Sequence, residues 1–383
     1  MALTLNNLTG FETAGAEEAL SVSNSPTFPT TDPRSGNRHL SIASTQEYKF
    51  PWVAGGVTDQ GNDYIVGIAI KLSSTSADSS GFIKVRDDVA GRLWQLEVAS
   101  SNKLALTDQG GVAVVITSTD SLTTTQYHYI EIYFQHSDPG NAEMFIDGVS
   151  QGTASSVDFS NGNSMNASAA LEMVHDGSNT FLVDDIYILS GATAASDRYG
   201  DFAVKAYQST DVGATDQGDT LADGTWALVS ETPGNEGTSN DAQYQDTGNL
   251  TGSTITDGGD RPGPSGDSDV TGATIKGAKF IGNFKRTTGG GRTHTLLHGN
   301  NVDDVTATAD LGLTVDYIIY EVLSEAAGIV PTESEFFQQG FSKSATAGQD
   351  IFCGDQWAML GYVPAAVAAI PIPSLVMAPY IPA

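Results

Sequence analysis

The chain has 383 residues and is poor in several things, each of which excludes something. Its one cysteine, Cys353, leaves no intrachain disulfide and no cysteine-based metal cluster, and reads as a small buried apolar residue. Only 17 Lys plus Arg stand against 46 Asp plus Glu, a formal charge of −29. A surface so negative repels phosphate backbones and anionic lipid, which removes nucleic acid as a partner. The charge also keeps copies soluble side by side. No apolar run free of proline reaches the roughly 20 residues a bilayer requires, so no membrane insertion is expected. Residues Met1 to Leu5 carry no basic, apolar or cleavable signal, so synthesis in a cytoplasm is expected. The glycosylation triplets at Asn7, Asn166 and Asn249 then have no chemical consequence.

What is plentiful is glycine, 42 residues, with Thr, Ser, Asn and Asp. Many turns over this length mean short antiparallel strands, in two or three domains. Residues 63–72 place Tyr64, Val66, Ile68, Ile70 and Leu72 on one face and the smaller Ile65, Gly67 and Ala69 on the other, a pattern that suits a strand between two layers. Further strands are predicted over 81–87, 91–98, 127–136, 143–146 and 179–190. In 127–136, His128, Ile130, Ile132 and Phe134 alternate with Tyr127, Tyr129, Glu131, Tyr133 and Gln135. Asp147-Gly148 signals a hairpin turn with positive φ at both positions. Two stacked antiparallel sheets over 1–195 satisfy this pattern.

Residues 196–272 form an acidic Gly/Thr-rich connecting segment, with twelve Asp or Glu and one basic residue, Arg261, between 208 and 272. One strand is predicted at Thr225–Val229, and 257–266 reads as the loosest loop. Alternation returns over 273–284, 293–299 and 313–324, and Trp357 to Tyr362 reads as the last core strand, making 273–363 the remainder of a second β domain. Pro331, the acidic turn after Thr332, and Gly340 predict a short capped helix over 332–339. From 364 to 383 runs an uncharged, proline-broken arm: Ile370, Pro371, Ile372, Pro373, Leu375, Val376, Met377, Tyr380 and Ile381. Its prolines favour an extended conformation that loses little entropy on docking. Exposed, it would promote aggregation, so it should lie in a groove of its own domain or of a neighbouring subunit.

Catalytic motifs are missing. The six histidines are scattered, with His294 and His298 sharing one strand face as a solvated or hydrogen-bonded pair. No nucleophile elbow or phosphate loop occurs. Asp184 and Asp185 are adjacent, so in a regular strand they point to opposite faces, and Glu131 has no partner at alternating spacing; hydrolysis is disfavoured. Calcium is the one cofactor left open, through Asp147, Asp176, Asp184 and Asp185 near turns and strand ends, although turn chemistry and solvation account for the same residues. Trp52, Trp94 and Tyr133 are the aromatic candidates for contact with a glycan, against a default assignment to the core.

The strand Tyr127–Ser137 followed by Ala142–Gln151, with its histidine and its terminal Asp147-Gly148, resembles the concanavalin A-like or laminin-G module. Residues Phe181–Leu189 resemble that module's last strand, and Leu8–Thr13 resembles its opening in tailed-phage virion structural proteins, where the same order of sandwich, acidic segment and second β domain occurs. The resemblance covers about half the chain. It implies an all-β fold: a lectin-like antiparallel β-sandwich (jelly roll), then a second β-sandwich domain and an extended C-terminal arm. It further implies a non-enzymatic accessory virion protein on the particle exterior, on capsid, tail or fibre. Its partners would be other virion proteins and copies of itself, with a host-surface glycan as a further ligand. A glycan-binding host-recognition module is the alternative, and a polysaccharide hydrolase the weakest reading.

Overall fold

The computed structural model describes residues 3–11, 19–53, 63–73, 78–87, 91–109, 113–160, 165, 168–175, 180–208, 245–246, 254–260, 267–286, 294–299, 306–307, 318–325, 330, 332, 338–344 and 351–365. Among them are antiparallel strands and two single-turn 3-10 segments, with no α-helix. The first strands are β1 (Thr4–Thr9), β2 (Ser21–Ser23), β3 (Leu40–Ile42), β4 (Glu47–Pro51), β5 (Asp63–Leu72), β6 (Asp78–Arg86) and β7 (Arg92–Val98). They continue as β8 (Lys103–Thr107), β9 (Val114–Ser121), β10 (His128–Gln135), β11 (Gly140–Ile146), β12 (Val149–Val157), β13 (Ala170–Val174) and β14 (Phe181–Ser190).

These strands make two sheets. The first runs β1-β14-β5-β10-β11-β12, with β3 added beside β14; the second runs β2-β4-β13-β6-β7-β8-β9. Trp52, Trp94, Tyr48, Tyr64, Phe50, Phe82 and Phe134 pack between them as an almost water-free core. The sandwich is a two-layer antiparallel β fold. Its open end is closed where β9 meets β12: the Gln151 amide accepts the Asp120 N–H at 2.9 Å and donates to the Asp120 carboxylate at 2.8 Å. The Asp147-Gly148 turn joins β11 to β12 with φ of 50° and 79°, the double positive φ that the dipeptide predicts.

The remaining strands are β15 (Ala203–Gln208), β16 (Gln245–Asp246), β17 (Thr254–Asp260), β18 (Thr274–Arg286), β19 (His294–Gly299), β20 (Thr306–Ala307), β21 (Ile318–Ser324), β22 (Gln338–Ser344) and β23 (Ile351–Val363). A third sheet has the order β15-β23-β18-β21, with β16 beside β23, and a fourth the order β17-β22-β19-β20. The third sheet lies on the outer face of the first. Between them Leu5, Leu8, Ile65, Ala69, Tyr129, Tyr133, Tyr187, Leu189, Phe202, Val204, Ile281 and Met359 form a second apolar cluster.

Strand β5 shows how sequence dictates this stacking. Tyr64, Val66, Ile68, Ile70 and Leu72 enter the sandwich core, while Ile65 and Ala69 enter the cluster beneath the third sheet. A strand buried on both faces needs apolar residues at successive positions, and β5 has them. The close approach also sets where glycine is required. A side chain at Gly67 would collide with the Tyr187 ring, and one at Gly361 would lie 2.5 Å from Phe202.

Two expectations in the second half differ from the structure. Gln338 and Gln339, expected to end a helix, lie in β22 and pair with Asp260 and Gly259 on one side and Gly299 and His298 on the other. Pairing on both edges overrides a local capping signal. Residues Asp257 to Asp260, expected as loop, form the end of β17 on the same strand. The predicted strand at Thr225–Val229 lies outside the described residues.

Candidate functional site

The site is built on a defect in β14. Asp184 pairs with Ala69, but the next paired residue is Tyr187 with Gly67, so the strand bulges, and Asp185 takes a φ of 46°. The bulge turns two adjacent carboxylates toward one loop, contrary to the opposite-face geometry of a regular strand. Asp184 accepts the Arg34 N–H at 2.9 Å. Asp185 accepts the Arg34 guanidinium at 2.5 Å, the Ser35 hydroxyl at 2.5 Å and the Val204 N–H at 2.7 Å. Arg34 also donates to the Phe202 carbonyl at 2.7 Å, pairs with Asp201, and stacks over Tyr129, 4.9 Å from the ring centroid. Burial pushes the Asp185 carboxyl up, opposed by Arg34 and Ser35. Burial likewise opposes the charge on Arg34, but Asp185 and Asp201 outweigh it and keep the guanidinium protonated.

Beside this knot opens a cleft of about 430 Å³ lined by Arg34, Gln126, Tyr127, Tyr129, Asp147, Gly148 and Asp201. Tyr127 is held by its hydroxyl, which donates to the Asp32 carbonyl at 3.2 Å, and by the Lys71 ammonium 5.8 Å from its ring centroid. Asp147 is fixed by His128. The Thr123 N–H donates to His128 Nε2 at 2.9 Å, so the ring proton sits on Nδ1 and points to the Asp147 carboxylate at 2.7 Å. The Tyr129 N–H donates to the other Asp147 oxygen at 2.8 Å. Burial works to raise this carboxyl, but the bonds from His128 and Tyr129 outweigh it and hold Asp147 below the ordinary range. The Asp147 side chain is 49% exposed and that of Asp201 71%, so both anions face solvent across the cleft mouth.

Glu131, on the outer face of β10, is 1% exposed. It accepts the Tyr187 hydroxyl at 2.5 Å and the Gly200 N–H at 2.8 Å, and its second oxygen lies 3.2 Å from Arg198 Nε. Burial pushes its carboxyl up, and the bonds from Tyr187 and Gly200 and the charge of Arg198 only partly offset this. Residues 198–204, which leave the sandwich, are thus tied back to it by Glu131 and Asp185. On the opposite, outer side of the second sheet Glu172 meets Arg86, with Lys49 and Lys84 each 3.7 Å away.

Of the residues singled out from sequence, Trp52 and Trp94 are core and neither ring reaches the surface, so neither can serve as a glycan platform. Tyr133 lies in the cluster between layers, with its hydroxyl donating to Asp63 at 3.2 Å; burial and Asp63 push it up to about 12. Asp184 and Asp185 share the Arg34 loop, while Asp147 lines the cleft. Among the described residues no three His, Cys, Asp or Glu side chains converge as a metal-holding group. The carboxylates nearest that description are engaged by N–H and guanidinium donors. Asp176 and the arm residues from Ile370 to Ile381 lie outside the described residues, as do the side chains of His294 and His298. Sequence reasoning missed Arg34, Gln126, Tyr127 and Asp201 as a group. Arg34, the adjacent Gln126 and Tyr127, and Asp201 come from three distant parts of the chain, and Arg34, held by the β14 bulge, reaches Asp201 across 167 residues.

No family model and no curated protein matches the chain. Solved structures align with about half its length. The cellulose induced protein Cip1 is 15% identical, aligned over 48% of this chain and 96% of its own, with a TM-score of 0.37. Domain 4 of an extracellular arabinanase from Geobacillus stearothermophilus, solved with arabinotriose, is 14% identical over 51% and 97%, with a TM-score of 0.37. A carbohydrate esterase of the Shiga toxin-encoding bacteriophage phi24B is 10% identical over 50% and 100%, with a TM-score of 0.38.

Proposed function

We propose that the chain is a non-catalytic accessory protein on the exterior of a tailed-phage particle, in which the lectin-like sandwich is a rigid module mounted on a second β unit. The observation that carries this reading is the burial of Glu131, the sandwich carboxylate weighed above as a hydrolytic candidate, by Tyr187 and by residues 198–200 on the way into the third sheet. A buried carboxylate already engaged by Tyr187, Gly200 and Arg198 has no route to a substrate. The same contacts tie the segment that leads into β15 to the sandwich, as a rigidly mounted part requires. The acidic surface and the resemblance in layout to tailed-phage structural proteins support the location on a particle.

The test is to grow phage carrying the chain with and without residues 364–383 and to probe intact purified particles with an antibody against the sandwich. Surface labelling with the full chain, lost on truncation, is expected. Absence of the full chain from particles would overturn the reading, and normal incorporation of the truncated chain would overturn the role of the arm. A second reading, recognition of a glycan by the sandwich, is favoured by the cleft beside Arg34, which combines an aromatic ring, an amide and carboxylates in one concavity.

A further inference from the structure

We infer that the cleft bounded by Tyr127, Asp147 and Asp201 is a saccharide site selective for uncharged or amino sugars over acidic ones. This rests on the second reading above, that the sandwich contacts a glycan, and adds where and of which class.

A sugar presents hydroxyl donors and an apolar ring face, and a site for it needs fixed acceptors near an aromatic surface. The cleft has both. Asp147 is oriented by two N–H donors, from His128 and Tyr129, which leaves its remaining lone pairs to accept hydroxyl hydrogens. Asp201 is oriented by Arg34 alone and is otherwise open to solvent. Gln126 is exposed at the rim and can both donate and accept. Tyr127, partly buried, is anchored through its hydroxyl, so its ring is held in place before any ligand arrives.

Charge decides the class. The cation lining the cleft is Arg34, and its guanidinium is shared between Asp185 and Asp201. Of the other cations beside the cleft, Lys71 behind Tyr127 is paired with Asp32, and Arg198, which donates to the Gly148 carbonyl, lies against Glu131. Among the described residues an incoming uronate or sialate would therefore have to approach Asp147 and Asp201 past cations that are each already paired with a carboxylate, in a molecule whose overall charge is −29. A neutral hexose meets no such opposition, and an ammonium sugar is attracted.

The experiment uses the full chain on a glycan array holding neutral hexose oligosaccharides, amino-sugar oligosaccharides, and uronate and sialylated glycans, with titration calorimetry on the best binder. Binding is expected among the neutral or amino sugars. Tyr127→Ala and Gln126→Ala should weaken it, and Asp201→Ala should weaken it about tenfold or more, as loss of a hydrogen bond to a charged group does. Asp201→Asn should in addition admit acidic glycans, a change of selectivity that a merely structural role would not produce. Unchanged melting curves for the exposed-residue variants Gln126→Ala and Asp201→Asn separate loss of binding from loss of fold. Preference of the wild-type chain for acidic glycans would overturn the inference. Glycan binding that is indifferent to all four variants would remove the cleft while leaving glycan recognition standing. Silence across the array would remove both.

Discussion

At the scale of single residues the molecule holds two buried carboxylates whose titrations act in opposite directions. Burial raises the Glu131 carboxyl, so the folded state holds that proton more tightly than the unfolded chain. Its stabilising contribution is therefore complete below the unfolded value, about 4.3, and is lost as pH rises through the folded value. Glu172 is the reverse: burial works against its charge, but Arg86, Lys84 and Lys49 outweigh that and hold it low. Its contribution is present above the unfolded value and disappears as pH falls through the folded one. Urea unfolding of Glu131→Gln should show the variant gaining on the wild type as pH rises above about 4. Glu172→Gln should lose ground as pH rises toward about 4, leaving its three cations without their anion. Stability differences that stay flat with pH in both variants would contradict these assignments. Neither role was legible in the sequence. A lone Glu in an alternating strand reads the same whether its face meets water or protein, and residues distant in the chain decide which: Tyr187, Arg198 and Gly200 for Glu131, and Arg86, Lys49 and Lys84 for Glu172.

At the scale of elements the sequence is far more transparent. The strands predicted over 63–72, 91–98 and 127–136 occupy Asp63–Leu72, Arg92–Val98 and His128–Gln135. Period-two alternation is local and survives packing. The two apolar faces of 63–72 even announce the third layer. What alternation cannot announce is an irregularity. The β14 bulge, which gathers the Arg34 knot, follows a pair of aspartates that a regular strand would send apart. The last two residues of the helix expected over 332–339 are strand for the converse reason, since Pro, acid and Gly describe a local preference that pairing to β17 and β19 overrules at Gln338 and Gln339. The crossing of Tyr187 over β5 leads to a prediction of its own. Gly67→Ala forces a methyl group into that ring, and overpacking of this kind costs about 1–3 kcal/mol. The variant should show a lowered urea midpoint with an unchanged m-value. A midpoint equal to that of the wild type would mean the ring is free to move.

At the scale of the whole molecule the sandwich and the third sheet are not independent bodies. The third sheet covers Leu5, Leu8, Tyr187 and Leu189, which would otherwise form an apolar face in water. Residues 1–197 expressed alone should therefore bind a hydrophobic dye and self-associate, whereas the full chain should not. A monomeric, dye-silent fragment would show that the covering layer is dispensable. Strand β1 carries the consequence further. The Ser190 hydroxyl bonds to Asn6 across 184 residues, and the Lys279 ammonium reaches the Leu8 carbonyl across 271. During synthesis β1 must wait unpartnered until β14 is made, and Leu5 and Leu8 stay uncovered until β18 and β23 follow. Whatever shelters Leu5 and Leu8 during that wait governs the yield of correctly built copies.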